Sequence, residues 1–386
     1  MRTRFLPGNR IDLLETGSDY FPALRAAFAA AQREIHLETY IFEDDDTGRV
    51  IAAALMQAAQ RGVTVRVLVD GFGARSFAET LMPQMLQHGV DVLIYRPELG
   101  RFRFQRHRLR RLHRKVTVVD GRVAFVGGIN IIDDMHTPGH TPPRYDYAVS
   151  VRGPLLDPIH TSSRRIWELV SWANFKRRFR FKNDYPPLTE HQGDMRAAFL
   201  IRDNLRHRRD IEDAYLEALG GATRDIVLAN AYFLPGRRFR HALMDAAGRG
   251  VNVVVLLQGR VEYVLLHYAS KALYGALLAG GVRIFQYHRS FLHAKVAVVD
   301  DDWATVGSSN IDPFSLLLAR EANVIVRDVG FAAKLRASLQ RAMAGGAHEL
   351  RPDDWRREPW LHRLTSWLAY GVVRLMIGLA GYGGKH

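Results

Sequence analysis

The sequence predicts an α/β protein made of two similar halves, and three observations support that prediction. Runs of β-branched and aromatic residues alternate with segments of helical periodicity, which is the pattern of a sheet covered by helices. The same order of segments occurs twice along the 386 residues. A short motif with histidine, lysine and aspartate closes each copy, at His113 and His293. We therefore expect two α/β/α halves, each ending in this motif.

The first strands of the two halves are matched segments. REIHLETYIF at 33–42 corresponds to RDIVLANAYF at 224–233, and both suit buried strands. Each is followed by a helical segment that ends in Arg-Gly-Val, at Arg61 and Arg249. The second strands, VTVRVLVDG and VNVVVLLQG, have the continuous apolar character of strands in a parallel sheet. A strand-helix-strand unit is therefore expected to open each half.

Another helix leads to the third strand and then to the motif. The third strands begin near Gly89 and Gly281, which lie 192 residues apart, whereas His113 and His293 lie 180 apart. The first half therefore carries 12 extra residues before its motif. These residues are the basic run that begins at Arg101, and an insertion at this place is expected to contact substrate.

The charge of the chain favours a polyanionic partner. It has 54 Lys and Arg against 40 Asp and Glu, a formal net charge of +14, which points to nucleic acid or an anionic membrane. Much of the surplus lies in RFRFQRHRLRRLHRK (101–115) and KRRFRFK (176–182). Taken alone, either run is equally well explained as a solvated basic loop.

The cysteine count and the N-terminal sequence indicate the cellular compartment of the protein. The chain has no cysteine, which excludes disulfides, thiolate metal sites and cysteine nucleophiles and fits a reducing compartment. The opening MRTRFLPGNRIDLLETG lacks the apolar run of a secretory signal. We therefore expect a protein that stays on the cytoplasmic side.

Five residues recur in register at a separation of 180. Because residues i and i+2 of a strand face the same way, each histidine projects beside its lysine. The Asp-containing turns that follow predict β-hairpins, which return the asparagines to the same end. The two sets are His113, Lys115, Asp120, Gly127 and Asn130, and His293, Lys295, Asp300, Gly307 and Asn310.

Paired histidines, lysines and amides suit phosphodiester chemistry. One histidine can attack phosphorus while the other protonates the leaving group and later deprotonates the acceptor. Lysines and amides can stabilise the charge of the pentacoordinate transition state without a metal. A binding module could also carry such a duplication, although binding alone has no need for two complete sets.

The doubled pattern His-x-Lys-x4-Asp-x6-Gly-x2-Asn resembles the signature of the phospholipase D superfamily. The stretches ETYIFEDDDTG, DYAVSVRGP, ANAYFLPG and WATVGSSNIDPFSL are further similar to bacterial cardiolipin synthases of the B type, which lack paired N-terminal membrane spans. The similarity extends from about Gly8 to about Ala344. It implies one active site at the interface of two phospholipase D-like halves, a covalent phosphohistidine intermediate, and neither a metal nor another cofactor.

The resemblance also implies roles for individual residues. In the superfamily an acidic residue on a later strand backs each histidine, and the matching positions here are Asp146 in YDYAV and Glu321 in REANV. The alternative is a charged strand residue paired with a nearby arginine. Family precedent makes His113 the nucleophile and His293 the acid and base. The motif aspartates belong to the predicted site mainly as turn and hydrogen-bonding residues.

The expected domain limits follow the repeat. An N-terminal domain covers 1–182, the Pro-rich polar stretch 183–194 is a linker, a C-terminal domain covers 195–346, and 347–386 is a membrane-associating tail. Within the tail, Arg363 and Arg374 interrupt the apolar segment WLHRLTSWLAYGVVRLMIGLAGYGG (360–384). Its longest uncharged runs are ten residues each, which is too short to span a bilayer. An interfacial helix is expected, the alternative being a helix packed on the core.

Two more segments have alternative explanations. The apolar helix at 261–281 could line an acyl-chain groove or simply pack against the sheet. The acidic run 43–46 is better explained as a loop than as a metal site, because no spaced ligands accompany it.

The functional expectation is a cardiolipin synthase that transfers a phosphatidyl group between two phosphatidylglycerol molecules and releases glycerol. The partners would be anionic phospholipid and the membrane surface, with no nucleic acid, at the cytoplasmic face of the inner membrane. Motifs alone leave phosphatidylethanolamine, glycerol and water open as acceptors. A nuclease that grips phosphates with the basic run and stacks bases on Phe102 and Phe104 is the main alternative, and a catalytically silent adaptor is the other.

Overall fold

The computed structural model describes residues 3–96, 111–137, 141–174, 185–203, 206–261, 263–312, 319–357 and 359–377. Residues 101–110 and 176–182, which carry most of the two basic runs, lie outside the described residues. The same holds for 183–184 of the expected linker and for 378–386 of the expected tail.

The first half contains nine strands and five helices among its described residues. The strands are β1 (Leu6–Glu15), β2 (Glu34–Thr39), β3 (Thr64–Asp70), β4 (Asp91–Tyr95), β5 (Arg111–Leu112), β6 (Lys115–Val119), β7 (Val123–Gly127), β8 (Arg144–Tyr145) and β9 (Tyr147–Arg152). The helices are α1 (Thr16–Ala30), α2 (Asp46–Gln60), α3 (Arg75–Glu79), α4 (Leu81–Gln87) and α5 (Leu156–Ala173).

The second half repeats this order with small differences. Its strands are β10 (Met195–Arg202), β11 (Asp225–Asn230), β12 (Asn252–Gln258), β13 (Arg283–Tyr287), β14 (Phe291–Leu292), β15 (Lys295–Val299), β16 (Trp303–Gly307), β17 (Ala319–Arg327) and β18 (Ala347–Leu350). Its helices are α6 (Asp210–Gly221), α7 (Arg237–Gly248), α8 (Val264–Ala279), α9 (Val329–Gly346), α10 (Pro352–Arg357) and α11 (Trp360–Ile377). The prediction of two similar α/β halves is confirmed.

One hydrogen-bonded sheet runs through both halves. Its order is β4-β3-β2-β6-β7-β9-β1-β10-β17-β16-β15-β11-β12-β13-β18, and the antiparallel pair β1 and β10 joins the halves. Along this order, the strands that are linked by helices, β2-β3-β4 and β11-β12-β13, are parallel. The motif strands are antiparallel because tight turns connect them. In the first of these turns, Asp120 and Gly121 both have positive φ, as a type I′ turn requires.

The two halves share a central apolar core. Valines of the first motif hairpin, such as Val116 and Val126, belong to the same buried cluster as Val296 and Val306 of the second. A second cluster lies between the sheet and α1, α2 and α4, and a third lies under α6, α7, α8 and α11. Burial of this apolar surface drives the docking of the halves, which places the two motifs close together.

The C-terminal helix packs with one face and exposes the other. In α11, Ala369, Tyr370 and Val373 contribute to the outer core of the second half, and the helix lies along α8. None of the described helices is long and apolar enough to cross a membrane.

Candidate active site

Two short strands position the motif histidines across the interface between the halves. β5 pairs in parallel with the start of β17, and the amide of His113 donates to the carbonyl of Arg320 at 3.0 Å. Reciprocally, β14 pairs with β8, and the amide of His293 donates to the carbonyl of Tyr145 at 2.8 Å. Each histidine is therefore fixed against the residue that immediately precedes an acidic residue of the other half.

The resulting histidine-carboxylate pairs cross between the halves. His113 Nδ1 lies 3.0 Å from Glu321 Oε1, and His293 Nδ1 lies 2.6 Å from Asp146 Oδ2. Both acids are buried. A carboxylate at Nδ1 holds the proton on that nitrogen and leaves Nε2 with a free lone pair. The positions predicted for Asp146 and Glu321 thus face the histidines, each serving the histidine of the opposite half.

The motif lysines lie in the same buried site. Lys115 Nζ donates to the carbonyl of His113 at 2.6 Å. Lys295 Nζ lies 3.2 Å from Asp146 Oδ2 and donates to the carbonyl of His293. It also lies 2.7 Å from His293 Nδ1, but a nitrogen whose proton is donated to Asp146 cannot accept from an ammonium group, so this contact is one of proximity.

Burial and the lysine charges keep both histidines neutral. Burial, followed by the charge of Lys295, lowers the pKa of His293 to about 3. Burial also lowers the pKa of His113. It lowers the pKa of Lys115 to about 7, and Lys295 adds to that effect. Burial alone would raise the pKa of Asp146, but Lys295 and His293 outweigh it and hold this pKa below its usual value.

The two pairs differ in how their acids are supported. Ser308 Oγ donates to Glu321 Oε2 at 2.5 Å. The equivalent residue in the first half is Gly128, where a Cβ would lie 2.4 Å from Asp146 Oδ1. Only glycine therefore leaves room for Asp146 at that position.

Asp120 and Asp300 lie at the far ends of the motif strands from the histidines. The Asp120 carboxylate accepts from the amides of Gln32, Arg33 and Glu34. Asp300 does the same for the segment that precedes β11, where it accepts from the amides of residues 223–225. Both hold the backbone at the start of a central strand, so the geometry gives them the turn and hydrogen-bonding role and does not bring them to the reacting atoms.

The motif asparagines return to the histidine end of the sheet and are buried. Asn130 Oδ1 accepts from the amide of Ile41 at 3.0 Å, which fixes the loop after β2. Asn310 Oδ1 has no hydrogen-bond partner among the described residues. The Oδ1 atom of Asn310 can therefore accept a hydrogen bond from another group, whereas that of Asn130 already accepts one within the protein.

Four residues of the site were not predicted from the sequence. Arg114 projects away from His113 and forms a buried bidentate pair with Glu38 at 2.5 and 2.9 Å. Asp70 Oδ2 accepts from the amide of Leu112, and Gln258 Oε1 accepts from the amide of Leu292. The signal for the last two was that each polar residue ends a matched apolar strand, VLVD and VLLQ.

A buried polar cluster lies elsewhere on β2. Glu34, His36 and His160 place their ligand atoms within 4.8 Å of one another, a spacing that could hold a metal ion. Glu34 Oε2 also lies 3.3 Å from Arg66 Nη1. The guanidinium supplies the positive charge that a metal would otherwise bring, so a hydrogen-bonded ion-pair network satisfies this cluster.

A family model and curated relatives agree on one family, and a solved structure shares the fold. The family model described as "Cardiolipin synthase, PLD-like domain" matches residues 24–137 and 215–343. Cardiolipin synthase B of Salmonella typhi is 38% identical over 99% of this chain and 92% of that protein. Probable cardiolipin synthase YwiE of Bacillus subtilis is 30% identical over 87% of this chain and 66% of that protein. The crystal structure of phosphatidylserine synthase from Haemophilus influenzae matches the fold with a TM-score of 0.70 at 14% identity, covering 96% of this chain and 97% of that one.

Proposed function

Because the chain belongs to the B-type bacterial cardiolipin synthases, which carry a phospholipase D-like domain twice, we propose that it is a phosphatidyltransferase that makes cardiolipin from two phosphatidylglycerol molecules. The observation that carries the proposal is the crossed arrangement of His113 with Glu321 and of His293 with Asp146. It leaves two neutral histidines with free Nε2 atoms beside two lysines, which is what a two-step displacement at phosphorus requires.

In the first step His113 Nε2 attacks the phosphorus of one phosphatidylglycerol. A P–N bond forms, the P–O bond to the headgroup breaks, and His293 gives its proton to the departing glycerol oxygen. His293 is neutral in the resting site because its pKa is lowered to about 3. It gains the proton as the phosphodiester anion binds beside Lys295 and offsets that charge.

In the second step the phosphatidyl group passes to a hydroxyl of another phosphatidylglycerol. His293 takes the hydroxyl proton, the oxygen attacks phosphorus, and the P–N bond to His113 breaks. Cardiolipin leaves, His293 releases to solvent the proton that it took from the hydroxyl, and both histidines return to their starting state. His113 as the nucleophile follows family precedent, and the reciprocal geometry is equally compatible with an exchange of roles.

Lys115 and Lys295 are proposed to surround the phosphoryl oxygens, where negative charge builds up in the transition state. Lys295 is fully buried, and burial also lowers the pKa of Lys115, so their charges act in a medium that screens them weakly. Asn130 and Asn310 would complete this set. Because the two lysines supply positive charge and the asparagines can add neutral hydrogen-bond donors, we propose a reaction that needs no metal.

The substrate is proposed to be reached from a membrane surface. On α11, Trp360, Trp367, Leu368 and Leu375 are 55 to 70% exposed, while the opposite face is packed on the protein. Exposed tryptophans and leucines with sparse arginines are typical of a helix that lies in a bilayer interface. This face and the net charge of +14 support peripheral attachment to anionic lipid, which we place at the cytoplasmic face of the inner membrane.

The domain limits of 1–182 and 195–346, with a linker at 183–194, are retained as part of this proposal. Within these limits β1 and β10 join the two halves, and each half contributes the acid for the other's histidine. The active site therefore belongs to both domains.

Product analysis of the purified protein tests the proposal. In vesicles of phosphatidylglycerol with EDTA, the wild type is expected to form cardiolipin and glycerol in equal amounts. His113→Ala and His293→Ala should abolish repeated turnover to both products, whereas His88→Ala, which changes an exposed histidine, should not. Phosphatidic acid as the sole lipid product would make water the acceptor, and cleavage of added single-stranded DNA without any lipid product would favour the nuclease.

Trapping the intermediate assigns the histidines. With phosphatidylglycerol labelled at phosphorus and an alkaline quench, label should remain bound to His293→Ala and not to His113→Ala. The reverse distribution would exchange the two roles.

A further inference from the structure

A pocket opens beside His293 in the second half. It lies between the ends of β11 and β12 and the first turns of α8, and its empty volume is about 380 Å³. Tyr232 forms one wall, and its ring centroid lies 6.4 Å from that of His293. Gln258, Arg260 and Ser270 add polar groups to the lining. Through Tyr232 the pocket adjoins one of the two motif histidines, and its lining includes polar groups.

Gln258 lines this pocket and carries a hydrogen-bond donor that has no partner among the described residues. Its Oε1 must face the amide of Leu292, which it accepts at 3.3 Å, and this contact fixes the orientation of the side-chain amide. Its Nε2 then faces the other way and has no hydrogen-bond partner in the described part of the chain. Gln258 is only 7% exposed. A buried donor left without an acceptor destabilises the protein, so a ligand that accepts from Nε2 would recover that free energy.

The first half has no such free group at its equivalent positions. Asp70 corresponds to Gln258, and its two carboxylate oxygens accept from the amides of Leu112 and Phe72. Other buried polar side chains of the second half also have an atom without a partner among the described residues. They include Asn230, Ser309 and Asn310, whereas Thr39, Ile129 and Asn130 at the equivalent positions of the first half have none.

We propose that this pocket is the headgroup subsite and that it selects a headgroup bearing hydroxyl groups. Gln258 Nε2 donates to a hydroxyl oxygen of the glycerol that leaves the first lipid, and then to the headgroup of the acceptor lipid. The inference rests on the proposed function, in which His293 serves both groups from one side. A hydroxyl oxygen accepts a hydrogen bond, whereas an ammonium headgroup has no lone pair for the amide and adds a charge.

The variant Gln258→Glu tests the role of the amide. It keeps an oxygen for the amide of Leu292 but replaces the donor with a carboxylate, which attracts an ammonium group. In vesicles that contain both phosphatidylglycerol and phosphatidylethanolamine, the ratio of ethanolamine release to glycerol release is expected to rise at least tenfold over the wild-type ratio. Gln87→Glu places the same charge at an exposed position and should leave the ratio unchanged.

A second measurement needs no variant. The wild-type protein should incorporate labelled glycerol into phosphatidylglycerol with a lower KM than it shows for labelled ethanolamine, since the exchange reverses the first step through the same pocket. Equal KM values, or equal losses of both headgroups in Gln258→Glu, would mean that Gln258 only holds Leu292 and would overturn the subsite. A wild-type protein that releases neither headgroup would overturn the proposed function, and the subsite with it.

Discussion

The buried pair of Arg114 and Glu38 permits a quantitative test of how the first motif strand is held. Arg114 lies between His113 and Lys115 in sequence but projects to the opposite face of the strand. Its guanidinium donates to both Glu38 oxygens, at 2.5 and 2.9 Å, and to Ser162 of α5 at 2.8 Å. Both charged side chains are less than 5% exposed.

Removing one member should cost far more than removing both. Glu38→Ala leaves Arg114 as a buried charge without its counterion, a change that destabilises proteins by about 3–5 kcal/mol. Arg114→Ala likewise leaves Glu38 as a buried charge without its counterion. The double variant has no unpaired charge, and the second half already carries alanine at both equivalent positions, Ala229 and Ala294, each fully buried. We therefore expect the double variant to be more stable than either single variant.

Urea unfolding followed by circular dichroism measures the three free energies, and the double-mutant cycle gives the coupling between the two residues. The pair fixes the first motif strand through the face opposite His113 and Lys115. The single variants should therefore also lower kcat in the cardiolipin assay. Losses below about 1 kcal/mol for both single variants, or a double variant whose loss equals their sum, would refute the reasoning.

Three further predictions concern the site itself. Glu321→Gln keeps the shape of the acid but removes the charge that orients His113, so kcat should fall about 100-fold or more. Ser308→Ala removes only a hydrogen bond to that acid, so kcat should fall less. Equal losses of kcat in steady-state kinetics would contradict this. Since the pKa of Lys115 is lowered to about 7, kcat/KM should fall as the pH rises through 7, and a pH profile of Lys115→Arg should lack that fall. The pKa of His293 is lowered to about 3 in the folded protein. Below about pH 6.5 this histidine is therefore protonated in the unfolded chain but still neutral in the folded one. The free energy of unfolding should therefore decrease by about 1.4 kcal/mol per pH unit as the pH falls from 6.5 toward 3, and the slope should be smaller in His293→Ala.

The repeat made much of the fold and the motif residues predictable. Two copies in register, 180 residues apart, identified His113 and His293 as a pair, and the alternation of strands and helices indicated two α/β halves. What sequence could not give was the pairing across the interface, because the pattern within one half says nothing about how that half docks on the other. The contacts that fix the pairing are made by β5 and β14, which are only two residues long and leave no periodic signal.

A search for repeats also hides the residues in which the halves differ. Arg114 and Glu38 stand opposite alanines, Gln258 stands opposite Asp70, and Ser308 opposite Gly128. Each difference appears in an alignment of the halves only as a mismatch. The structure shows what each difference does. Arg114 and Glu38 form a buried ion pair, Gln258 has a donor without a partner among the described residues, and Ser308 donates to a buried acid.

The crossed pairs make the site depend on the docking of the two halves. Neither half holds a histidine with its acid, since Glu321 serves His113 and Asp146 serves His293. The central core, to which both motif hairpins contribute, therefore stabilises the catalytic geometry directly as well as the fold. In the proposed reaction both histidines depend on the same interface, so residues that differ between the halves can serve different groups of the substrate. The pocket beside His293, with its unpartnered donor, is where that asymmetry has its clearest chemical consequence.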